Sequence, residues 1–327
     1  MLMKIKNANT MASIFGKYGK LGIQLGLFVS IVVFFALMNP VFLTADNALS
    51  VARQSTYLAI MSLGQMCVLI VGGFDLSVGA VAALVSIIST MVMLEISDPA
   101  VAIIVGILVG LTVGTIVGLL NGFIVATFNV SPFIATLGMM GIINGITLMI
   151  SSGAPVYGFT EKFSAIFGYG TFLGLPSPVI VSVLIALVMY VLYNMTPLGR
   201  HMWAIGGNIN AAVLSGLSNM KYKLIAYGIS GFMAALTGIM LSARVSSGEP
   251  TLGHTMMMTS LVACVIGGVA VGGGAGNVPG ALMGVILIGI LGNGMNLMNL
   301  GAYGQEVVMG VFLLMAIIFD RYMHPGR

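Results

Sequence analysis

Apolar residues form long blocks along most of the chain, and short stretches of Gly, Pro, Asn and charged residues separate them. A helix needs roughly 20 residues to cross the hydrocarbon core of a bilayer, and the blocks have about that length. With the polar and turn-forming residues taken as boundaries, the pattern predicts ten crossings. They cover residues 21–38, 51–71, 76–94, 100–120, 132–151, 178–194, 222–243, 256–271, 279–298 and 305–320. We therefore predict an all-α polytopic membrane protein with about ten transmembrane helices.

Two stretches do not fit this pattern of plain crossings. Residues 153–177 are rich in Gly and aromatic residues and carry Glu161 and Lys162, which predicts an ordered extracytoplasmic loop or an interfacial helix. Residues 121–132 are too polar for lipid and too short to cross, which predicts a cytoplasmic-side turn or a short re-entrant piece. We therefore expect broken or re-entrant segments between the helices.

Composition and charge give the same class and add an orientation. Hydrophobic residues make up 59% of the chain, charged residues 6%, and the mean hydropathy is +1.12. The basic residues fall in three clusters, which the positive-inside rule places in the cytoplasm, together with both termini. These clusters comprise Lys4, Lys6, Lys17, Lys20, Arg200, His201, Lys221, Lys223, Arg321, His324 and Arg327. Because they flank membrane segments, the formal charge of +4 does not indicate a nucleic-acid partner.

These observations predict a simple domain organisation. A basic cytoplasmic segment occupies residues 1–20, one transmembrane domain occupies 21–320, and a cytoplasmic tail occupies 321–327. A cytoplasmic loop at residues 196–221 interrupts the transmembrane domain.

An acid interrupts two apolar blocks in the sequence "GGFDLSVG" at residues 72–79. A charged carboxylate at membrane depth costs several kcal/mol unless it is paired or hydrated. In one interpretation Asp75 or Ser77 accepts backbone N–H groups at the start of the next helix, and the glycines make the turn. In another, Asp75 contacts a proton or the substrate, and both roles are compatible with a turn that lines a translocation route. The candidate residues are Gly72, Gly73, Phe74, Asp75, Ser77 and Gly79.

A second Gly-rich interruption at residues 264–287 resembles the first, since both have an apolar run, Gly-Gly, an irregular turn and another apolar run. Matching interruptions in two halves of a transporter point to a transport pathway, because irregular backbone at membrane depth must be satisfied by protein or by a water-filled cavity. Chance similarity between two low-complexity segments is the alternative.

Catalytic chemistry has little support in the sequence. No phosphate-binding loop, H-E-x-x-H, paired-Cys motif or nucleophile elbow is present, so we expect no enzyme activity, no metal site and no cofactor in this chain. Energy for transport must then come from a partner subunit or from an ion gradient.

The cytoplasmic loop is compatible with helix and rich in small residues. Asn208 or Asn210 can start a short helix in it and Gly216 can end that helix. Such a helix presents little bulk and fits a groove on a partner protein, whereas an interfacial helix on the inner leaflet is the alternative.

Three stretches, in order, resemble the permease subunits of ribose-type sugar ABC importers, the family that also serves xylose, galactosides and autoinducer-2. They are "GGFDLSVG" at 72–79, "GRHMWAIGGNINAAVLSG" at 199–216, and "ARVSSGEPTLG" at 243–253, which the Gly-rich block at 265–298 follows. One departure is Phe74, where the family often has an aliphatic residue before the acid. The resemblance extends from the second predicted crossing to the C-terminus.

The resemblance implies a multi-pass protein of the bacterial inner membrane that passes a monosaccharide, ribose or a related sugar, from an extracytoplasmic sugar-binding protein. A cytoplasmic ATP-binding subunit, which holds ATP and Mg, then docks on the loop, and a second permease, identical or related, completes the pathway. The implied ATPase-coupling residues are Gly199, Arg200, Ala204, Gly206, Gly207, Asn208, Ala211, Ala212, Leu214, Ser215 and Gly216. Candidate contacts for the binding protein, from their charge, are Lys162, Arg244 and Glu249.

An ion-gradient-driven secondary carrier for a small polar solute is the alternative function. Such carriers usually place ionisable residues within several spans as relays or ion ligands. The predicted spans contain almost none apart from Arg53 and Asp75, which argues against proton symport.

Overall fold

The computed structural model describes residues 22, 26, 28–172 and 174–323. The basic segment predicted at 1–20 lies outside these residues, as do His324 and Arg327 of the predicted tail. Within the described part, a helix coincides with each of the ten predicted crossings. These helices are α1 (Phe28–Met38), α2 (Ala45–Ile70), α3 (Val78–Leu94), α4 (Pro99–Thr127), α5 (Pro132–Ser151), α7 (Ser177–Met195), α10 (Asn219–Val245), α11 (His254–Ile266), α12 (Val278–Leu297) and α13 (Ala302–Met323).

The remaining elements are short. A 3₁₀ turn at Pro40–Leu43 precedes α2, and α6 (Glu161–Phe163) and a π-helical turn (Ser164–Gly168) follow α5. The antiparallel pair β1 (Thr171–Phe172) and β2 (Leu175–Pro176) comes next. Helices α8 (Pro197–Gly207) and α9 (Ile209–Leu214) then precede α10.

Five helices of the described part are long and apolar enough to cross a membrane, namely α4, α5, α7, α10 and α12. Helix α2 is also long but is less apolar, because buried polar residues such as Ser55, Ser62 and Gln65 lie along it. It packs against α7, α10, α11 and α12, so its polar residues face protein rather than lipid. Helices α2 and α10 therefore form the centre of the bundle.

Close backbone contact between α4 and α10 explains the glycines that recur every four residues in α4. A Cβ on Gly114 would lie 2.5 Å from the Cβ of Ala235, and one on Gly118 would collide with the carbonyl of Tyr227. Side chains at these positions would push α10 away from α4. The stripe is thus a packing surface inside the bundle.

The turn predicted within residues 121–132 is present but shorter than predicted. Helix α4 continues to Thr127, and the chain turns at residues 128–131, where Asn129 has a φ of 51°. The polar residue that suggested an earlier turn, Asn121, is fully buried and donates from Nδ2 to the Ser77 hydroxyl at 2.8 Å. Its amide NH₂ group has a partner inside the bundle, so the helix does not have to end there.

The described residues of the loop at 153–177 pack on the bundle. Phe163 is completely buried, and a Cβ on Gly168 would collide with the carbonyl of Ala243 at the end of α10. The Ser177 hydroxyl donates to the carbonyl of Gly170 at 3.0 Å and ties the loop to the start of α7.

Candidate functional site

The break between α2 and α3 is a tight turn that requires both glycines. Gly72 has a φ of +77°, which favours glycine, and its N–H donates to the Leu69 carbonyl at 2.9 Å. The N–H of Gly73 donates to the Val68 carbonyl at 2.9 Å, and a Cβ there would lie 2.6 Å from the Tyr227 hydroxyl. The chain therefore turns sharply between α2 and α3, and this turn packs against α10.

Asp75 is the centre of a buried polar network at this break. The residue is 1% exposed, and its Oδ1 accepts hydrogen bonds from the Ser77 N–H at 3.0 Å and the Ser77 hydroxyl at 2.6 Å. Its Oδ2 accepts from the Ser230 hydroxyl on α10 at 2.9 Å. Since the Ser77 hydroxyl also accepts from Asn121 on α4, one carboxylate connects α3, α4 and α10.

Two side chains, on α5 and α10, also bind the backbone around Asp75. The Leu76 N–H donates to the Thr136 hydroxyl on α5 at 3.1 Å, and the Tyr227 hydroxyl on α10 donates to the Phe74 carbonyl at 3.0 Å. Such bonds are what irregular backbone inside a membrane protein needs. The non-helical segment is thus built into the bundle and has a defined conformation.

The hydrogen bond between Asp75 and Ser77 has a different geometry from the helix N-cap that the sequence predicts. Ser77 occupies the N-cap position of α3 and makes no side-chain capping bond there. Asp75 instead accepts the N–H two residues ahead of it, which is an Asx turn. Gly79, in the first turn of α3, packs against Gly253, whose carbonyl would lie 2.8 Å from a Cβ at Gly79.

The Gly-rich interruption between α11 and α12 contains several left-handed residues. Gly268, Gly273 and Gly274 have φ values of 84°, 87° and 71°. The indole Nε1 of Trp203 on α8 donates to the carbonyl of Gly276 at 3.0 Å. This turn is therefore fixed directly to the helix that begins the predicted coupling loop.

The two interruptions and the end of α8 meet in one place, which we call the glycine junction (Gly72, Gly206, Gly207, Gly273 and Gly274). The Gly274 N–H donates to the carbonyl of Ile70, the last residue of α2, at 2.9 Å. A Cβ on Gly273 would lie 2.8 Å from the Gly72 nitrogen and 2.9 Å from the Gly206 oxygen.

The same close approach holds for α8 within the junction. A Cβ on Gly206 would collide with the Ile70 carbonyl and would lie 2.6 Å from the Gly274 nitrogen. A Cβ on Gly274 would lie 2.5 Å from the Gly207 Cα. Three segments of backbone are therefore in direct contact, with no side chain between them.

The coupling loop itself consists of two short helices with clear caps. The Thr196 hydroxyl accepts from the Leu198 N–H at 3.2 Å and starts α8. Asn208 Oδ1 accepts from the Ala211 N–H at 3.0 Å and starts α9, which ends before Gly216 at a φ of +85°. The prediction of a short helix between an Asn and Gly216 is confirmed, and Asn208 rather than Asn210 is the cap.

One side of α9 is open and the other faces the bundle. Leu214 is 89% exposed, and Ala211, Val213, Ser215 and Gly216 are exposed beside it. Ala212, by contrast, is 5% exposed and packs in the core, so it is not available to a partner.

The predicted coupling residues in α8 are divided in the same way. Arg200 and Ala204 are exposed, whereas Gly199 is buried where a Cβ would collide with the carbonyl of Tyr193 on α7. Gly206 lies in the glycine junction. The predicted set therefore contains both exposed residues and residues that attach the loop to the bundle.

Two further side-chain contacts attach α8 to the bundle. The Tyr193 hydroxyl donates to the Met202 sulfur at 3.1 Å. His201 Nδ1 and the Tyr222 hydroxyl on α10 lie 2.6 Å apart. With Trp203 and the glycine junction, these contacts connect α8 to α7, α10 and both interruptions.

The three predicted binding-protein contacts do not share one surface environment. Lys162 is exposed in the loop before α7. Glu249 is half-buried, and its Oε1 accepts from the Ser247 hydroxyl at 2.8 Å. Arg244 is half-buried as well, with its guanidinium carbon 5.3 Å from the centroid of the Tyr57 ring.

The hydrogen bonds around Asp75 and the contacts of α8 involve residues that the sequence did not single out, namely Asn121, Thr136, Tyr193, Trp203, Tyr227 and Ser230. In the sequence, each of these residues is recognisable only as a polar or aromatic side chain inside an apolar block, and the sequence does not indicate its partner. No group of three or more His, Cys, Asp or Glu side chains that could hold a metal ion occurs in the part of the chain that is described.

Comparison with known proteins identifies relatives along nearly the whole chain. The ribose import permease protein RbsC of Bacillus subtilis is 41% identical over 307 residues, which cover 94% of each chain. The D-allose transport system permease protein AlsC of Escherichia coli is 35% identical and covers 93% of this chain and 91% of its own. The L-arabinose transport system permease protein AraH of Escherichia coli is 35% identical and covers 98% and 95%. No solved structure matches the chain.

The family model described as branched-chain amino acid transport system / permease component matches residues 47–318. These residues include the broken-helix turn, the coupling loop and the glycine junction. Membership confirms the prediction of a multi-pass translocation subunit that is not an enzyme. A permease component is one part of a transport system, so it works with partner components. The chain therefore belongs to the family of branched-chain amino acid transport system permease components, within which its similarity to sugar permeases spans nearly its full length.

Proposed function

We propose that this chain is the membrane permease of a sugar ABC importer and passes a monosaccharide, ribose or a related sugar, across the bacterial inner membrane. The observation that carries the proposal is the sequence identity of 35–41% to permeases for ribose, D-allose and L-arabinose, each aligned over more than nine-tenths of both chains. Three different sugars among these relatives support the substrate class, whereas the individual sugar within it is set by the binding protein.

ATP and Mg act in a separate cytoplasmic subunit that docks on the exposed side of α9. Support for this comes from Leu214 and Val213, two apolar side chains that are 89% and 50% exposed at the tip of a capped helix. With the basic clusters of the chain in the cytoplasm, this tip points into the cytoplasm. A short rigid helix with an apolar tip is suited to a groove on a partner protein.

Movement of the docked subunit reaches the membrane interior through α8. Helix α8 contacts the last residue of α2 and the turn before α12 through backbone alone. Because direct backbone contact leaves little room for relative motion, a displacement of α8 moves both interruptions together. The inward and outward openings of the pathway then alternate as these segments rock.

The remaining partners act on the other face and beside the permease. A sugar-loaded binding protein docks on the extracytoplasmic loops, where Lys162 is exposed. A second permease, either a copy of this chain or a related one, completes the pathway. Charged residues at the rim of such a contact mainly raise the association rate.

Replacing Leu214 with aspartate tests the docking assignment. We expect the ATPase subunit to bind about tenfold more weakly or worse, because burial of a Leu side chain is lost and a carboxylate must be desolvated. Leu214 lies at the tip of α9 with 89% of its surface exposed, so the fold should be unaffected. Co-purification of the ATPase with the permease, and ATP-driven uptake of labelled D-ribose, are the two measurements.

Leu214→Met is the matched control, since it keeps an apolar side chain of similar size and should bind and transport normally. Unchanged co-purification and uptake for Leu214→Asp would remove the docking assignment. Equal loss in both variants would also contradict it, because apolar contact would then not be the basis of the interaction.

A further inference from the structure

Two buried asparagines form a reciprocal amide pair between α2 and α12. Asn47 Nδ2 donates to Asn293 Oδ1 at 3.0 Å, and Asn293 Nδ2 donates to Asn47 Oδ1 at 2.8 Å. Each side chain is 8% exposed, and Asn47 Nδ2 also donates to the Phe42 carbonyl at 2.8 Å. A buried amide is costly unless both its donor and its acceptor have partners. Here each side chain supplies what the other needs, so the pair holds the two helices together.

The amide pair lies at the opposite end of α2 from the glycine junction. Asn47 is in the first turn of α2 and Ile70 is its last residue, so about 35 Å of helix separates them. That length is close to the thickness of the hydrocarbon core, about 30 Å. Asn293 is near the end of α12, and Gly274 lies just before its start. With the coupling loop in the cytoplasm, the pair is at the extracytoplasmic end of both helices.

Helices α2 and α12 also touch between these two ends. A Cβ on Gly289 of α12 would collide with the Ser55 hydroxyl of α2. Leu58 of α2 shares one buried apolar cluster with Val285 and Ile288 of α12. The antiparallel helices are therefore in contact near both ends and in the middle. Close-packed interiors transmit displacement with little compression, so the two helices are expected to move as one body.

Further contacts fix the extracytoplasmic end of this helix pair to the surface. Asn39 Nδ2 donates to the carbonyl of Leu297, the last residue of α12, at 3.2 Å. The ring of Phe35 on α1 lies where a Cβ on Gly294 would collide with it. The 3₁₀ turn at Pro40–Leu43 joins α1 to α2 here, and most of it is exposed. Displacement of α12 at this end therefore reaches an exposed extracytoplasmic turn.

We propose that α2 and α12 form one rigid transmembrane arm, in which Asn47 and Asn293 are positioning residues that clamp the extracytoplasmic end. The inference rests on the function proposed above and extends it to the opposite face of the membrane. The glycine junction passes motion of the coupling loop to the cytoplasmic end of the arm, and the amide pair keeps the other end in step. Because coupling between two sites is reciprocal, the arm also carries the effect of a docked binding protein back to the ATPase.

Asn47→Leu tests the arm through stimulation of the ATPase. The complete importer in proteoliposomes is assayed for ATP hydrolysis with and without its binding protein loaded with D-ribose. We expect the stimulation by the loaded binding protein to fall about fivefold, because two interhelical hydrogen bonds are lost. Hydrolysis without binding protein and co-purification with the ATPase should be retained, since the coupling loop is unchanged.

Asn296→Leu is the matched control, because it makes the same substitution one turn further along α12. Asn296 is exposed, and its Oδ1 accepts from Gln305 Nε2 at 2.7 Å. We expect normal stimulation and normal uptake of labelled D-ribose in this variant. An equal loss in both variants would assign the effect to the end of α12 in general and would contradict a role for the pair.

Reversible bridging separates a clamp from a contact that only stabilises the fold. In the double variant Asn47→Cys with Asn293→Cys, we expect the same loss of stimulation as in Asn47→Leu. A short bifunctional methanethiosulfonate reagent that bridges the two thiols should restore stimulation and uptake, and dithiothreitol should remove both again. The native Cys67 and Cys264 are buried, so they should not compete for the reagent. Folding is the same before and after bridging, so a change in stability does not produce this result.

Failure of the arm and failure of the proposed function give different results. Full stimulation in Asn47→Leu would overturn the arm, as would a double variant that stays uncoupled after its thiols are bridged. A double variant that is active when reduced and blocked when bridged would show that the helices separate during transport. The proposed function fails instead if the unmodified importer takes up none of D-ribose, D-allose and L-arabinose with ATP.

Discussion

Replacing Gly206 with alanine is expected to abolish ATP-driven uptake while the protein still inserts in the membrane. The new Cβ would collide with the Ile70 carbonyl and lie 2.6 Å from the Gly274 nitrogen, and both neighbours are backbone that cannot rotate away. Overpacking of this kind costs about 1–3 kcal/mol, which corresponds to about a 5- to 150-fold change in an equilibrium. Uptake of labelled D-ribose by reconstituted importer measures the effect.

The adjacent glycine provides the matched control. A Cβ on Gly207 would lie 3.9 Å from the Gly274 Cα, an ordinary van der Waals contact, so Gly207→Ala should transport at nearly the normal rate. Gly206→Ala should still co-purify with the ATPase, because the exposed side of α9 is unchanged, and ATP hydrolysis should no longer depend on the loaded binding protein. Normal uptake by Gly206→Ala, or equal loss in both variants, would show that the glycine junction does not transmit motion.

Substitutions at Asp75 are expected to separate a structural role from a chemical one. Asp75→Ala removes the acceptor for the Ser77 N–H and for the Ser77 and Ser230 hydroxyls, all in the buried interior. A buried donor that loses its acceptor costs about 1–3 kcal/mol, so we expect Asp75→Ala to be poorly inserted or unstable. Thermal denaturation of the purified importer, followed by size-exclusion chromatography, measures this.

Asp75→Asn keeps an oxygen for the Ser77 N–H, and its amide can donate to the Ser230 hydroxyl, which can act as an acceptor. We expect this variant to fold and to transport at a rate close to normal. If Asp75→Asn is as stable as the unmodified protein but does not transport, the carboxylate contacts a proton or the substrate directly. Equal stability of Asp75→Ala and the unmodified protein would remove the structural role.

The sequence was sufficient to predict the helices because lipid imposes a long apolar block on each crossing. A helix coincides with each of the ten predicted segments in the described residues, although α11 (His254–Ile266) begins before the predicted segment 256–271 and ends well before that segment does. Apolar residues at 267–271 continue past its end, but Gly268 at a φ of 84° leaves the helical conformation. Hydropathy alone does not register that change in backbone.

The distant members of the hydrogen-bond network around Asp75 and Ser77 could not be predicted from the sequence, for a physical reason. Asn121 and Ser230 are 44 and 155 residues from the residues that they bind, and a polar side chain within an apolar block can face lipid headgroups, a pathway or another helix. In the case of Asn121, that ambiguity produced a predicted turn where α4 continues. The bonding partner is determined by packing, which one sequence does not display.

The coupling loop shows both the strength and the limit of local patterns. Asn208 and Gly216 are capping residues whose effect depends on neighbouring backbone, so the short helix was predictable. The sequence did not predict which residues of that helix face outward. Ala212 was included among the coupling residues, but it is buried. The glycine junction was missed because three separate Gly-Gly stretches give no sign that they meet.

The domain boundaries, the cytoplasmic location of the termini and the identity of the partner permease remain predictions from the sequence. They do not affect the packing of α8 on the two interruptions. In the proposed mechanism, the permease moves sugar only when a separate ATPase drives it through the coupling loop.

Uptake of labelled D-ribose into proteoliposomes tests that claim most directly, with the permease reconstituted alone or together with its ATPase and binding protein. We predict accumulation against a gradient only when the ATPase is present with ATP and Mg on its own side of the membrane. Accumulation by the permease alone, driven by a proton or sodium gradient and without any nucleotide, would contradict the account.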